Sequence, residues 1–124
     1  MKASRQWPWD GPWDPSLCNT AAGDDPLGWP SPVGMFPTGN SPYGCTDMVG
    51  NVWEWTRNAY RLYPFVVRPA DGAEEAEEQA LRVVRGGSWL IETHFARCAV
   101  RNRSAPYDMG SNLGVRVVCA PLLS

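Results

Sequence analysis

The chain has 124 residues, the length of a single domain, and is long enough to bury a hydrophobic core. Gly and Pro occur twelve times each and predict many loops, but seven Trp, four Tyr and three Phe exclude a disordered chain. The net charge of −2 argues against a nucleic-acid partner. No apolar run approaches the ~20 residues of a membrane span and no signal peptide precedes Trp7, so we expect a cytoplasmic protein without a membrane partner.

Proline dominates the first third of the chain, with eight prolines within residues 1–42. Because proline breaks helices and central strands, this region is predicted to consist of loops and short turns. Tryptophan side chains are expected to hold these loops in place. The tryptophans concerned are Trp7, Trp9, Trp13 and Trp29.

Residues 43–60, YGCTDMVGNVWEWTRNAY, form a compact motif with several oxygen donors around a glycine. The donors are Asp47, Gly50, Asn51, Val52 and Glu54. A sharp turn here would aim two carboxylates and two backbone carbonyls at one point, which is how proteins hold Ca²⁺. Asn19, Asp24 and Asp25 flank a second irregular stretch with the same potential. Asp and Asn also cap turns with their side chains, so spacing alone leaves both interpretations open.

Regular structure is predicted mainly in the second half of the chain. Residues Ala73–Leu81 contain good helix formers and suit two helical turns or a solvated surface loop. The β-branched segments Leu81–Arg85 and Val115–Cys119 are predicted strands. The fold class is therefore an irregular, loop-rich α+β domain with little regular secondary structure. The residues expected in its core include Trp53, Trp55, Trp89 and Val117.

Arginine and cysteine are expected to act structurally. All basic residues except Lys2 are arginine, and we expect Arg85, Arg101 and Arg116 to pair with buried acids or backbone carbonyls. A basic surface that faces a ligand is the alternative. The four cysteines match no zinc or Cys-x-x-Cys pattern, which favours reduced, buried thiols over disulfides. The single histidine, His94, has no nucleophile motif around it.

Four strings in fixed order carry a resemblance to a known family: DMVGNVWEW (47–55), RVVRGGSW (82–89), ARCAVRNR (96–103) and NLGVRVV (112–118). They resemble the formylglycine-generating enzyme, or sulfatase-modifying factor, family. The resemblance continues into residues before 45 and covers nearly the whole chain. It implies that 1–124 form one C-type-lectin-like domain. Family domains are considerably longer, so we expect that the chain is a fragment, a reduced version, or a piece that another chain completes as a partner by supplying the N-terminal half.

The resemblance further implies calcium as a structural cofactor at two sites. Each site combines side-chain oxygens with backbone carbonyl oxygens. The first comprises the Asn19 and Asp25 side chains with the carbonyls of Thr20 and Leu27. The second comprises the Asp47 and Glu54 side chains with the carbonyls of Gly50 and Val52.

The family's catalytic machinery is not matched. Its enzymes use two cysteines shortly after a Gly-Gly-Ser motif, bind copper as thiolates and oxidise a sulfatase cysteine to formylglycine. Here Ile91 stands at the first cysteine position, and no second cysteine occurs before Ala96. Because isoleucine cannot ligate Cu(I), no copper is expected. A formylglycine-generating oxidoreductase is therefore the less favoured interpretation.

The implied function is non-catalytic binding of a protein or small-molecule ligand. One branch of the family comprises variable proteins of diversity-generating retroelements, in which adenines are rewritten in codons between RGGSW and the final motif. Many residue types between positions 89 and 111 suit such rewriting, whereas Glu92 and Met109 do not. The expected ligand surface consists of Trp89, Leu90, Ile91, Thr93, His94, Phe95, Ser104, Tyr107 and Ser111. The alternatives are ordinary loop and core positions, or an accessory sensing or scaffold domain of a bacterial multidomain protein.

Overall fold

The computed structural model describes residues 5–64 and 78–119. Short strands and single helical turns alternate with long loops. The strands are β1 (Trp53–Ala59), β2 (Arg82–Arg85), β3 (Arg101–Ser104) and β4 (Leu113–Gly114). Three 3-10 turns span Pro15–Leu17, Pro37–Gly39 and Thr93–Phe95. Most of the predicted helix over residues Ala73–Leu81 lies outside the described residues.

No helix in these two ranges is long and apolar enough to cross a membrane.

The four strands form one mixed sheet in the order β3-β2-β1-β4. β2 is antiparallel to both β1 and β3, and Val84 lies opposite Trp55 on one side and Asn102 on the other. The register between β1 and β2 shifts between Trp55 and Ala59. Val83 and Val84 are buried, as expected for β-branched residues in a central strand. The predicted strand over Leu81–Arg85 is confirmed with its start one residue later.

The prediction of a second strand over Val115–Cys119 is wrong. β4 pairs with β1 in parallel over Trp53 and Glu54 only, and the regular structure ends at Gly114. Val117 is 87% exposed, so its predicted place in the core is also wrong. A β-branched segment suits a strand, but it also needs a neighbouring strand, and residues 115–119 have none among the described residues.

Tryptophans pin the proline-rich N-terminal segment, as predicted. The Trp13 ring lies 4.8 Å from that of Trp7 and 5.7 Å from that of Trp9. Trp7 and Trp9 are buried together with Cys18 and Ala96 in one core cluster. The prediction fails for the fourth tryptophan of this region, Trp29, whose side chain is 66% exposed. Of the other expected core residues, Trp53 is buried, whereas Trp55 and Trp89 are half-buried.

Arginines serve the loops as structural hydrogen-bond donors. Arg85 Nη1 lies 3.3 Å from the carbonyl oxygens of Ala99 and Val100, and Arg101 Nη1 donates to the Arg61 carbonyl at 3.0 Å. Together with the pairing of Arg116 described below, these contacts confirm the structural role predicted for the three arginines.

The four cysteines are free thiols, but only Cys18 is buried. Burial raises the pKa of the Cys18 thiol to about 12. The predicted burial is therefore wrong for Cys45, Cys98 and Cys119, which are exposed because the loops that carry them lie outside the tryptophan cluster.

Candidate functional site

A glycine turn after β2 sets the course of the predicted ligand surface. Gly86 and Gly87 have φ angles of 91° and 76°, which favour glycine. A Cβ on Gly87 would lie 2.6 Å from Ile91 Cδ1, so this position of the turn also favours a residue without a side chain. Ser88 follows with no exposed surface, and its carbonyl accepts from the Ile91 amide at 3.2 Å. The next residues are thereby anchored to the core.

Trp89 joins the two halves of the predicted surface. Its backbone amide donates to the Asn51 carbonyl at 2.9 Å, and its indole Nε1 donates to the Ser111 carbonyl at 3.3 Å. The second contact ties residues 89–95 to residues 104–111. We call the predicted residues in these two segments the 89–111 surface.

Large side chains of the 89–111 surface point to solvent. Leu90 is 53% exposed, Phe95 49% and Tyr107 74%. His94 is also exposed, and its ring centre lies 4.0 Å from that of Phe95. Ile91 differs, because it is half-buried and packs against the tryptophan core cluster.

Asp108 stabilises the turn that presents Tyr107, although the sequence analysis did not single it out. Its Oδ2 accepts from the Ser104 hydroxyl at 2.6 Å and from the Ala105 amide at 2.8 Å. These hydrogen bonds lower the pKa of the Asp108 carboxyl. Ser104, a predicted ligand residue, therefore supports the loop through this carboxylate. The sequence Ser-Ala-Pro-Tyr-Asp (104–108) has a usual turn composition and was the available signal.

The first predicted calcium cluster contains unsatisfied buried oxygens. Asn19 Nδ2 donates to the Trp29 carbonyl at 2.9 Å and lies 3.2 Å from Ser31 Oγ. Asn19 Oδ1 and Thr20 Oγ1 are buried and find no hydrogen-bond donor in the described part of the chain. Because a buried acceptor normally has a partner, the Asn19 side-chain oxygen fits the role of a ligand to a hard cation. The other predicted ligands, Asp25 and Leu27, lie on the exposed side of the loop.

The second predicted cluster is already occupied by a guanidinium. Arg116 Nε donates to Glu54 Oε2 at 2.9 Å and Arg116 Nη2 to Oε1 at 2.7 Å. The same Nη2 donates to the Thr46 carbonyl at 2.9 Å, and Asp47 Oδ2 accepts from the Gly34 amide at 2.7 Å. The hydrogen bonds with Glu54 raise the pKa of Arg116. Because both acids have partners and a cation lies beside them, this cluster does not fit calcium in the observed arrangement.

The sharp turn predicted within the motif is present and brings the two clusters together. Asp47, Gly50 and Asn51 have φ angles of 51°, 79° and 66°. The Asn51 amide donates to the Asn19 carbonyl at 2.8 Å. A Cβ on Gly50 would lie 2.2 Å from the Asn19 carbonyl oxygen, so only glycine permits this approach.

In residues 5–64 and 78–119, no three His, Cys, Asp or Glu side chains lie together so that they could hold a metal ion. A cation at the first cluster would therefore need amide and carbonyl oxygens beside the carboxylate predicted from Asp25.

The fold and its motifs define the family. The chain matches the Sulfatase-modifying factor enzyme 1-like domain over residues 2–121, and it belongs to this family. It is 36% identical over 121 residues to hercynine oxygenase of Mycobacterium tuberculosis, an alignment that covers 91% of this chain and 27% of that protein. It is 34% identical over 123 residues to the inactive C-alpha-formylglycine-generating enzyme 2 of Bos taurus, covering 89% of this chain and 36% of that one.

A solved structure supports the same fold. Treponema denticola variable protein 1 superimposes with a TM-score of 0.62 and 22% sequence identity, over 81% of this chain and 34% of that chain. This likeness, with the short mixed sheet and the long loops, confirms the predicted irregular α+β fold of C-type-lectin type.

Proposed function

We propose that the chain is a non-catalytic binding module that presents the 89–111 surface to a protein or small-molecule ligand. The observation that carries this proposal is the hydrogen bond between the Trp89 indole and the Ser111 carbonyl. It joins two loop segments on a frame anchored by the buried Ser88. Binding residues are commonly found on loops that a rigid scaffold positions.

The exposed side chains of this surface are of the kind that dominate binding energies. Aromatic residues supply large contact areas with few rotatable bonds and are enriched where proteins bind each other. Phe95 and Tyr107 are each about half exposed or more, and Leu90 adds apolar area. Such side chains gain more by being covered by a ligand than by staying in water.

The residue at the family's first cysteine position supports a non-catalytic role. Ile91 occupies it, and its side chain packs against the tryptophan core cluster rather than into a cleft. The four thiols of the chain lie elsewhere in the sequence, and three of them are exposed. We propose the cytoplasm as the compartment, because free thiols stay reduced there.

The ligand surface is proposed to be a diversified one, as in a retroelement variable protein. The support is the residue composition of positions 89–111 and the fold shared with Treponema denticola variable protein 1. Sequencing the gene across many isolates tests this proposal. Substitutions should concentrate in the codons of Leu90, Phe95 and Tyr107, at positions that are adenines in the template copy, whereas the codons of Arg101 and Arg116 should stay constant. An even spread of substitutions would contradict it.

A triple variant tests whether the proposed binding residues lie on the surface rather than in the core. The combined Leu90→Ser, Phe95→Ser and Tyr107→Ser variant should melt cooperatively within about 4 °C of the parent chain, since exposed substitutions usually cost little. A collapse of the melting transition would show that these residues serve the core and would overturn the proposed surface.

We also infer a structural calcium ion at the first cluster. Its support is that Asn19 Oδ1 is buried and has no hydrogen-bond partner in the part of the chain that the structure describes. Calcium at the second cluster would require Arg116 to release Glu54. A melt in excess Ca²⁺ compared with a chelator should therefore show stabilisation that Asn19→Ala removes.

A further inference from the structure

A cavity of about 500 Å³ opens on a part of the molecule that the 89–111 surface does not use. The N-terminal segment, residues 41–48, the start of β1, the end of β2 and residues 96–98 surround it. Its volume lies in the range of small-molecule sites. Tyr43 and Met48 supply part of an apolar wall, and Arg5, Arg85 and Arg97 contribute three cationic groups.

The charges around this cavity do not cancel. Among the described residues that line the cavity, Glu54 is the only acid, and Arg116 neutralises that carboxylate from 2.7 Å. Arg5 pairs with the exposed Asp10 at 2.9 Å, which offsets part of the charge of Arg5.

Within residues 5–64 and 78–119, the other two guanidinium groups have only neutral partners. Arg85 Nη1 lies 3.3 Å from the carbonyls of Ala99 and Val100, and Arg97 Nε donates to the His94 carbonyl at 3.0 Å. These contacts position the cations without removing their charge. A guanidinium with remaining N–H donors suits a planar carboxylate, which can accept two parallel hydrogen bonds.

We propose that this cavity binds a small anionic molecule that carries a carboxylate beside an apolar body. The arginines would hold the carboxylate, and Tyr43 and Met48 would cover the apolar part. None of the lining residues belongs to the predicted ligand residues of the 89–111 surface. The inference therefore stands or falls separately from the proposed function.

Two cysteines in the cavity wall provide a direct readout. Cys45 and Cys98 line the cavity, whereas Cys119 is exposed outside it and Cys18 is buried. In alkylation by iodoacetate or iodoacetamide, the thiolate sulfur attacks the methylene carbon, a C–S bond forms and iodide leaves with the bonding electrons. The two reagents differ in charge, so the ratio of their rates reports the potential at each sulfur.

This ratio is independent of how easily each thiol ionises. Burial of the sulfur in the cavity wall raises the pKa of Cys98, although the residue as a whole is exposed, and Arg5 acts in the opposite direction. Because both reagents use the same thiolate, that effect divides out. Peptide mass spectrometry of the 124-residue chain gives the rates at all four cysteines.

The iodoacetate-to-iodoacetamide ratio at Cys45 and Cys98 should exceed that at Cys119 by about tenfold, because a positive cleft concentrates anions. Arg5→Gln with Arg97→Gln should bring the ratio down towards that of Cys119. The matched control Arg103→Gln, outside the cavity, should leave it unchanged. Equal ratios at the three thiols of the parent chain, or a ratio that the double variant does not lower, would overturn the proposal.

Ligand protection supplies the second measurement. Benzoate should slow the reaction of Cys98 with iodoacetamide, whereas benzamide, its neutral isostere, should not. Equal protection by both compounds, or protection by neither at millimolar concentration, would contradict a carboxylate site.

Discussion

Replacing Arg116 with methionine would test how the turn motif is held together. The substitution keeps an unbranched side chain but removes the two hydrogen bonds to Glu54 and the bond to the Thr46 carbonyl. The Arg116 and Glu54 side chains are 33% and 21% exposed, so the pair is only partly shielded from water.

The expected loss lies between the values for surface and buried pairs. Exposed ion pairs contribute up to about 1 kcal/mol, and breaking a buried one costs about 3–5 kcal/mol. We therefore expect Arg116→Met to lower the free energy of unfolding by about 2 kcal/mol. Urea denaturation in the presence of a chelator, followed by tryptophan fluorescence, measures this loss.

The same variant separates an ion pair from a metal site. Without Arg116, the Glu54 carboxylate becomes available, so Ca²⁺ should restore part of the lost stability. Glu54→Gln in the Arg116→Met background should abolish that rescue, and the single Glu54→Gln variant completes the double-mutant cycle. A loss below about 0.5 kcal/mol for Arg116→Met would refute the role assigned to this pair.

Three further variants test the core and the turns. Gly50→Ala should cost more than about 3 kcal/mol in urea denaturation, because its Cβ would lie 2.2 Å from the Asn19 carbonyl oxygen at a φ of +79°; a near-neutral change would contradict this packing. Ile91→Ala should cost about 2–4 kcal/mol and Leu90→Ala under about 0.5 kcal/mol by the same assay, and similar losses would refute their assignment to core and surface. The free energy of unfolding should fall as the pH rises above 9, because folding raises the pKa of the Cys18 thiol from 9.0 to about 12. Above pH 9 this thiol ionises in the unfolded chain but stays protonated in the folded one. If the stability of a Cys18→Ala variant fell with pH as steeply as that of the parent chain, this assignment would be wrong.

Sequence patterns predicted the features that depend on local chemistry. The run RVVR ending in two glycines contains a β-branched centre and a turn, and both are present at β2. Asp47, Gly50 and Asn51 predicted a sharp turn, and all three have positive φ angles. Arg116 was expected to meet an acid, and Glu54 is a residue that the motif had already singled out.

Features that depend on distant neighbours could not be predicted in the same way. Val117 has the composition of a strand, but whether a partner strand lies beside it is not encoded in residues 115–119. Trp29 has the same side chain as Trp7, yet only Trp7 lies where the N-terminal loops fold over Cys18.

The candidate sites show the same division. Composition identified the oxygen donors of both clusters, but only the structure shows that Arg116 occupies the second one. The cavity lined by Arg5, Arg85 and Arg97 combines five separate stretches of the chain. No sequence motif identifies this cavity, because the arginines that give it its charge are far apart in the sequence.

Selection from a displayed library would show whether the 89–111 surface can bind a ligand. Leu90, Thr93, His94, Phe95, Tyr107 and Ser111 would be randomised and selected against hen lysozyme. A control library of equal size would randomise exposed residues elsewhere, including Val33 and Met35. We expect binders of micromolar affinity or better from the first library, with melting temperatures near that of the parent, and none from the control. Binders from both libraries alike, or none from the first, would contradict it.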